Sequence, residues 1–284
     1  MKLSATLFVF AACAPGTPAP DKPIPVDAAT AVPVDAMPAD ILGPPWHLIW
    51  QDEFDGAENA RVDSTKWRYD VGGDGWGNAQ LEFDTDRVDN SSLDGQGHLR
   101  ITAKKESFSG RQYTSARLNT AGKFERAYGR FEARIKLPRG QGIWPAFWVL
   151  GANVANVGWP GCGEIDIMEY RGQQVRNNRG SLHGPGYSGG ANVGKEIDAG
   201  MDLSQGFHTY AVEWDPGRVV FKLDDKAFFT GTPADLPAGT TWVYDHPFFI
   251  ILNLAVGGTY VGNVDAPFPQ TMLVDHVRVY EKIP

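Results

Sequence analysis

Gly163-Glu164-Ile165-Asp166-Ile167-Met168-Glu169 decides how this chain of 284 residues is read. Acids are interleaved here with Ile, Ile and Met. On a strand, side chains alternate between faces, so Glu164 and Asp166 share one face while Ile165 and Ile167 take the other. Glu169 has the wrong parity by one. A β-bulge near Ile167-Met168 supplies the extra residue that returns Glu169 to the face of Glu164 and Asp166. A helix does worse, because five residues at 100° each leave Glu164 and Glu169 about 140° apart. A solvated edge strand tolerates such charge, but it has no use for Ile, Ile and Met, which demand a core behind them.

Like charges on one face repel and raise one another's pKa. With the bulge, Glu164 and Glu169 are spaced like residues four apart, ~13 Å between Cα atoms at ~3.3 Å per residue. Two Glu side chains leaning together can approach the ~5–5.5 Å separation that a retaining glycosidase needs. Asp166 between them can hydrogen-bond to one and split their pKa values. One is then ionised as nucleophile while the other is protonated as acid.

From Trp46 onward the chain shows short apolar alternations separated by turns. His98–Ala103, Gly129–Leu137, Thr209–Trp214 and Val219–Leu223 all have period two. Asp94-Gly95 and Pro216-Gly217 are turn signals. Long helical periodicity is missing. Many short strands with Gly/Pro turns predict an all-β fold, a β-sandwich.

The acidic stretch has Ile143-Trp144-Pro145-Ala146-Phe147-Trp148-Val149-Leu150-Gly151 before it and Tyr170 after it. Near the C-terminus stands Phe268-Pro269-Gln270-Thr271-Met272-Leu273-Val274-Asp275-His276-Val277-Arg278-Val279-Tyr280. Together these segments resemble glycoside hydrolase family 16, with the acidic motif in the bulged form typical of laminarinases, the endo-1,3-β-glucanases. The resemblance runs over about Trp46 to Glu281. It implies a β-jelly roll of concanavalin A-like type, with a cleft on the concave sheet. It also implies retaining hydrolysis of internal β-1,3 bonds in laminarin-type β-glucans. Glu164 is then the nucleophile, Glu169 the acid/base and Asp166 their modulator, with no cofactor needed for catalysis. Glu53 and Asp275 occupy the places where the family often holds a structural Ca²⁺ on the convex side; a plain pair of surface acids is the competing reading. Asn78 and Arg117 fall among the family's sugar contacts. Two stretches depart from the commonest pattern: Gln80-Leu81-Glu82 reverses the order of Glu and Gln, and Gly257-Gly258-Thr259-Tyr260 replaces Gly-Gly-Asn-Trp.

Other sugar-binding candidates come from the residues themselves. Trp144 and Trp148 are four apart on one strand, hence on one face, and flat aromatic rings stack on the apolar faces of pyranoses. Trp159, just ahead of the acids, is a third. Tyr113, Ser115 and Arg117 alternate onto a shared face, where an Arg offers several donors to hydroxyls. His183 is either a structural histidine or a partner near Glu169 that tunes the acid.

The formal net charge of −8 argues against nucleic acid and anionic membrane surfaces as partners. A neutral polysaccharide or oligosaccharide suits it. Residues 1–13 read as a signal peptide, Lys2 followed by an apolar run from Leu3 to Ala12 that is too short to span a bilayer. Phe10-Ala11-Ala12-Cys13 resembles a bacterial lipoprotein processing site, with lipidation at Cys13; an ordinary secretory signal is the alternative. Residues 14–45 hold nine of the twenty prolines and no aromatic residue, and read as a disordered tether. The folded catalytic domain is 46–284. The expectation is a monomer, secreted or tethered to the outer surface of a bacterium. With Cys13 lipidated, Cys162 has no partner for a disulfide. A nucleophilic role for Cys162 is set aside in favour of a small buried residue in a turn. The rival from another class is a carbohydrate-binding sandwich without catalysis, which intact Glu164, Asp166 and Glu169 oppose. Within the enzyme class, mixed-linkage glucan and β-galactan are the alternative substrates.

Overall fold

The computed structural model describes residues 45–283. The expected signal peptide, Cys13 and all of the expected tether but Pro45 lie outside the described residues. The strands in the first half are β1 (Trp46–Asp52), β2 (Arg68–Asp70), β3 (Glu82–Asp84), β4 (Ser91–Leu93), β5 (Leu99–Phe108), β6 (Arg111–Ser115), β7 (Arg117–Asn119), β8 (Gly129–Lys136) and β9 (Ile143–Gly151). The second half adds β10 (Glu164–Glu169), β11 (Asn177–His183), β12 (Val193–Asp198), β13 (His208–Asp215), β14 (Arg218–Leu223), β15 (Lys226–Gly231), β16 (Phe248–Val256) and β17 (Gln270–Lys282). The period-two stretches of the sequence are thus β5, β8, β13 and β14. Pro216-Gly217 closes the β13–β14 hairpin, where Asp215 pairs with Arg218 and Gly217 takes a left-handed φ of 69°, a conformation glycine adopts without a Cβ penalty.

Two sheets result. One runs β15-β14-β13-β8-β17-β5-β6-β3, with β1 also on β17 and β4 also on β5. The other, which carries the acids, runs β12-β11-β10-β9-β16-β7-β2. The core lies between them. Ile143, Phe147 and Val149 of β9 and Ile165 and Ile167 of β10 point into it, and meet Phe131 and Ile135 of β8 and Val277 of β17. All are fully buried, and each such side chain contributes roughly 1.5–3 kcal/mol of transfer free energy.

The expected common face of Tyr113, Ser115 and Arg117 is not found. The chain passes from one sheet to the other at buried Ala116, so β6 pairs with β3 and β5 while β7 pairs with β16 and β2. Tyr113 packs on Phe268 with ring centroids 5.1 Å apart, and Arg117 goes to the acidic sheet. Alternation ends where a strand changes sheets.

Glu53 and Asp275, the acids expected to hold calcium, each meet an arginine. Arg278 donates through Nε and a terminal nitrogen to Glu53, both at 2.7 Å. Asp275 accepts from Arg134 at 2.9 Å and lies 3.1 Å from His276 Nδ1. Burial would raise the Asp275 carboxyl, but His276 and Arg134 outweigh it and hold the pKa at about 2. Glu53 and Asp275 are thus each ion-paired to an arginine.

Gly151 ends β9 where the chain must pass close to the entry of β10. Its N–H donates to the Gly163 carbonyl at 3.1 Å, and a Cβ there would sit 1.9 Å from the Cys162 carbonyl oxygen. Gly151→Ala is expected to lose about 1–3 kcal/mol of stability, or about 2–4 °C in Tm per kcal/mol. Calorimetry measures it, and an unchanged Tm would mean the junction yields freely.

Candidate active site

The bulge lies where parity requires it. Against β9, Asp166 pairs with Trp148 and Met168 with Phe147, so Ile167 is the extra residue. Against β11, Asp166 pairs with Ser181 and Glu169 with Arg179, the same one-residue shift. Ile165, Ile167 and Met168 are completely buried behind the strand. Glu164, Asp166 and Glu169 therefore share the outer face. There they stand beside Leu150, Trp148 and Ala146 on one side and His183, Ser181 and Arg179 on the other.

Hydrogen bonds distinguish the three acids. Trp159 Nε1 donates to Glu164 Oε2 at 3.0 Å. His183 Nε2 lies 2.8 Å from Asp166 Oδ2 and 3.8 Å from Glu164 Oε1. His183 is thus a partner of Asp166, not of Glu169 as the sequence had suggested. The Gly189 amide donates to His183 Nδ1 at 3.0 Å, which puts the ring proton on Nε2, facing the carboxylates. Ser181 Oγ lies 2.9 Å from Asp166 Oδ2 and 3.2 Å from Glu169 Oε2.

Burial raises Glu164 to about 8, with Asp166 and Glu169 adding to it. Burial and Asp166 raise Glu169 to about 7. Two such carboxyls keep one proton between them near neutral pH. Either carboxyl can carry that proton, and the hydrogen bonds around the two differ. Glu164 receives an indole N–H and faces the imidazole proton, both of which favour its anion. Glu169 accepts a hydroxyl that it shares with Asp166, and the charges of His183 and Arg179 favour its anion from further off. Burial opposes charge on His183, yet Asp166 and the two glutamates outweigh it and lift the pKa to about 9. The Gly189 N–H pulls the other way, since Nδ1 cannot accept it and carry a proton at once.

Beyond β9 the face becomes aromatic. Trp148 Nε1 donates to Asn253 Oδ1 at 2.8 Å. The Arg117 guanidinium lies between two indoles, 4.7 Å from Trp76 and 4.7 Å from Trp148, and its Nε donates to Asp70 at 3.1 Å. Asn78 is exposed in the adjoining loop, which is pinned by the Thr259 N–H donating to the Asn78 carbonyl at 2.9 Å. Trp144 shares the face of Trp148 but is nearly buried against Tyr260, with centroids 4.9 Å apart. Trp159 is half exposed beside Glu164. The structure thus gathers Arg117, Trp148 and His183 on the acidic sheet, with Trp159 beside Glu164 in the turn before β10.

The model of glycosyl hydrolases family 16 matches residues 78–277. The chain belongs to this family. A beta-glucanase of Rhodothermus marinus is 42% identical over 252 residues, spanning 84% of this chain and 86% of that protein. The laminarinase catalytic domain of Thermotoga maritima superposes with a TM-score of 0.79 at 44% identity, covering 84% of this chain and 99% of that one. The endo-β-1,3-glucanase of Pyrococcus furiosus gives a TM-score of 0.79 at 44% identity, over 84% and 95%.

Three residues of this family 16 site escaped sequence reasoning: Asp70, Asn253 and Ser181. Asp70 sits in an edge segment whose approach to Arg117 is set by tertiary packing. Asn253 is one amide in an apolar strand, legible as a group needing a partner but not as the partner of Trp148. Ser181 had a signal, since it lies two residues from His183 and so on the same face.

Among the described residues, Glu164, Asp166 and His183 bring three ligand atoms within 4.8 Å of one another. A metal on His183 Nε2 needs the proton on Nδ1, and Nδ1 is taken by the Gly189 N–H. This donor set does not fit a metal. Cys162 is no rival nucleophile either, because burial and Glu164 push its thiol up to about 11.

Proposed function

We propose that the chain is a retaining endo-β-1,3-glucanase acting on laminarin-type β-glucan. One observation carries this reading: the bulge puts Glu164 and Glu169 on one face, flanking an Asp166 bonded to His183. A Glu164 oxygen attacks the anomeric carbon as the glycosidic C–O bond breaks, and the Glu169 proton passes to the leaving oxygen. Water then attacks the same carbon while Glu169 takes its proton and the bond to Glu164 breaks. Two inversions retain configuration. The rim of Trp148, Trp159 and the Arg117 cluster supplies flat faces and donors for pyranose rings.

The purified enzyme on laminarin, followed by proton NMR, is expected to release the β-anomer first. An α-anomer at early times would overturn the mechanism. Laminarin, lichenan, curdlan and β-1,3-galactan compared by reducing-end release test the substrate class, with laminarin expected fastest. We further propose export to the cell surface, supported by the Lys2-to-Cys13 pattern and the tether behind it.

A further inference from the structure

Ser181 stands between two acids and has one proton to give. Its Oγ is 2.9 Å from Asp166 Oδ2 and 3.2 Å from Glu169 Oε2, and the residue is completely buried, so no water substitutes for it. A hydroxyl cannot donate to both at once.

We propose that Ser181 is a swivelling donor, serving Asp166 while Glu169 is protonated and turning to Glu169 once that residue has given its proton away. This rests on Glu169 being the acid/base. In the first step the Glu169 proton goes to the leaving oxygen, which creates a buried anion, and the Ser181 O–H rotates onto it. In the second step Glu169 takes a proton from water and the hydroxyl returns to Asp166. Asp166 keeps the His183 Nε2–H throughout. No bond to Ser181 is made or broken, so it is a positioning residue.

The hydroxyl favours the anionic form of Glu169, and its bond lowers a pKa that burial has raised. The other charged groups facing Glu169 are Asp166 and Glu164 on its own strand, His183 and Arg179 on β11, and Tyr260 after β16. From β9 the opposing residue is Ala146.

Ser181→Ala removes the donor and raises the Glu169 pKa by about one unit, the worth of one hydrogen bond to a charged group. The sign differs between the steps. Glu169 must be protonated for the first, so the alkaline limb of kcat/KM on laminarin moves up by about one pH unit. It must be ionised for the second. With a dinitrophenyl β-glucoside, whose leaving group needs no acid, the acidic limb of kcat moves up equally and the rate below it falls about tenfold. Ser181→Thr keeps the hydroxyl and is expected to keep both limbs. Ser181→Cys fills the space with a poor donor and follows Ala, which covers the case that the Ala variant does not fold. Limbs at their wild-type positions in the Ala or Cys variant, with rates lowered evenly at all pH, would overturn the proposal. Glu169→Ala in azide separates the two levels. If it forms β-glycosyl azide while the limbs stay put, only the role of Ser181 is lost; if it forms none, the assignment of Glu169 falls as well.

Discussion

Glu164→Gln is expected to lower kcat on laminarin by about four orders of magnitude or more, with folding intact. The amide has nearly the same shape and its oxygen can still accept the Trp159 N–H, so the surrounding bonds survive. What it lacks is a nucleophilic oxygen at the anomeric carbon. The truncation Glu164→Ala makes the test sharper. Azide can enter the vacated space and attack an activated β-glycoside, with one inversion, to give the α-glycosyl azide. More than a tenth of wild-type activity in Glu164→Gln, or a β-azide from the truncated variant, would remove Glu164 from its role.

Glu169→Ala is expected to lose about 10²–10⁴ in kcat on laminarin, the usual contribution of one positioned acid/base. The loss depends on the leaving group. A poor leaving oxygen needs the proton, whereas dinitrophenolate departs without it. With the activated substrate the first step therefore survives, the glycosyl-enzyme accumulates, and mass spectrometry of the intact protein should find it on Glu164. Azide needs no general base and should restore turnover as the β-glycosyl azide. Equal losses on both substrates would contradict the assignment.

Much of this site is legible in seven residues, because strand periodicity is a local rule. Glu164, Ile165 and Asp166 obey it. Glu169 breaks it by one, and a single broken parity among acids and buried aliphatics is enough to locate the bulge. Trp144 and Trp148 share a face for the same reason, although only the second keeps a cleft position, since Tyr260 covers the first. The rule fails where the backbone leaves its sheet. Tyr113 and Arg117 illustrate this, because nothing local marks Ala116 as a crossing. It is silent about partners that approach from elsewhere in the chain. Arg278 on Glu53 and Gly189 on His183 are of this kind.

The strand order has a consequence for how a polymer is held. The acids are on β10, with β11 and β12 on one side and β9, β16, β7 and β2 on the other. At about 4.8 Å per strand, a glycan laid across the sheet meets about 10 Å of protein in one direction and about 19 Å in the other. The longer arm is the one that carries Arg117 between two indoles. A glycan lying this way would cross about twice the width of sheet on the Arg117 side of the acids as on the His183 side.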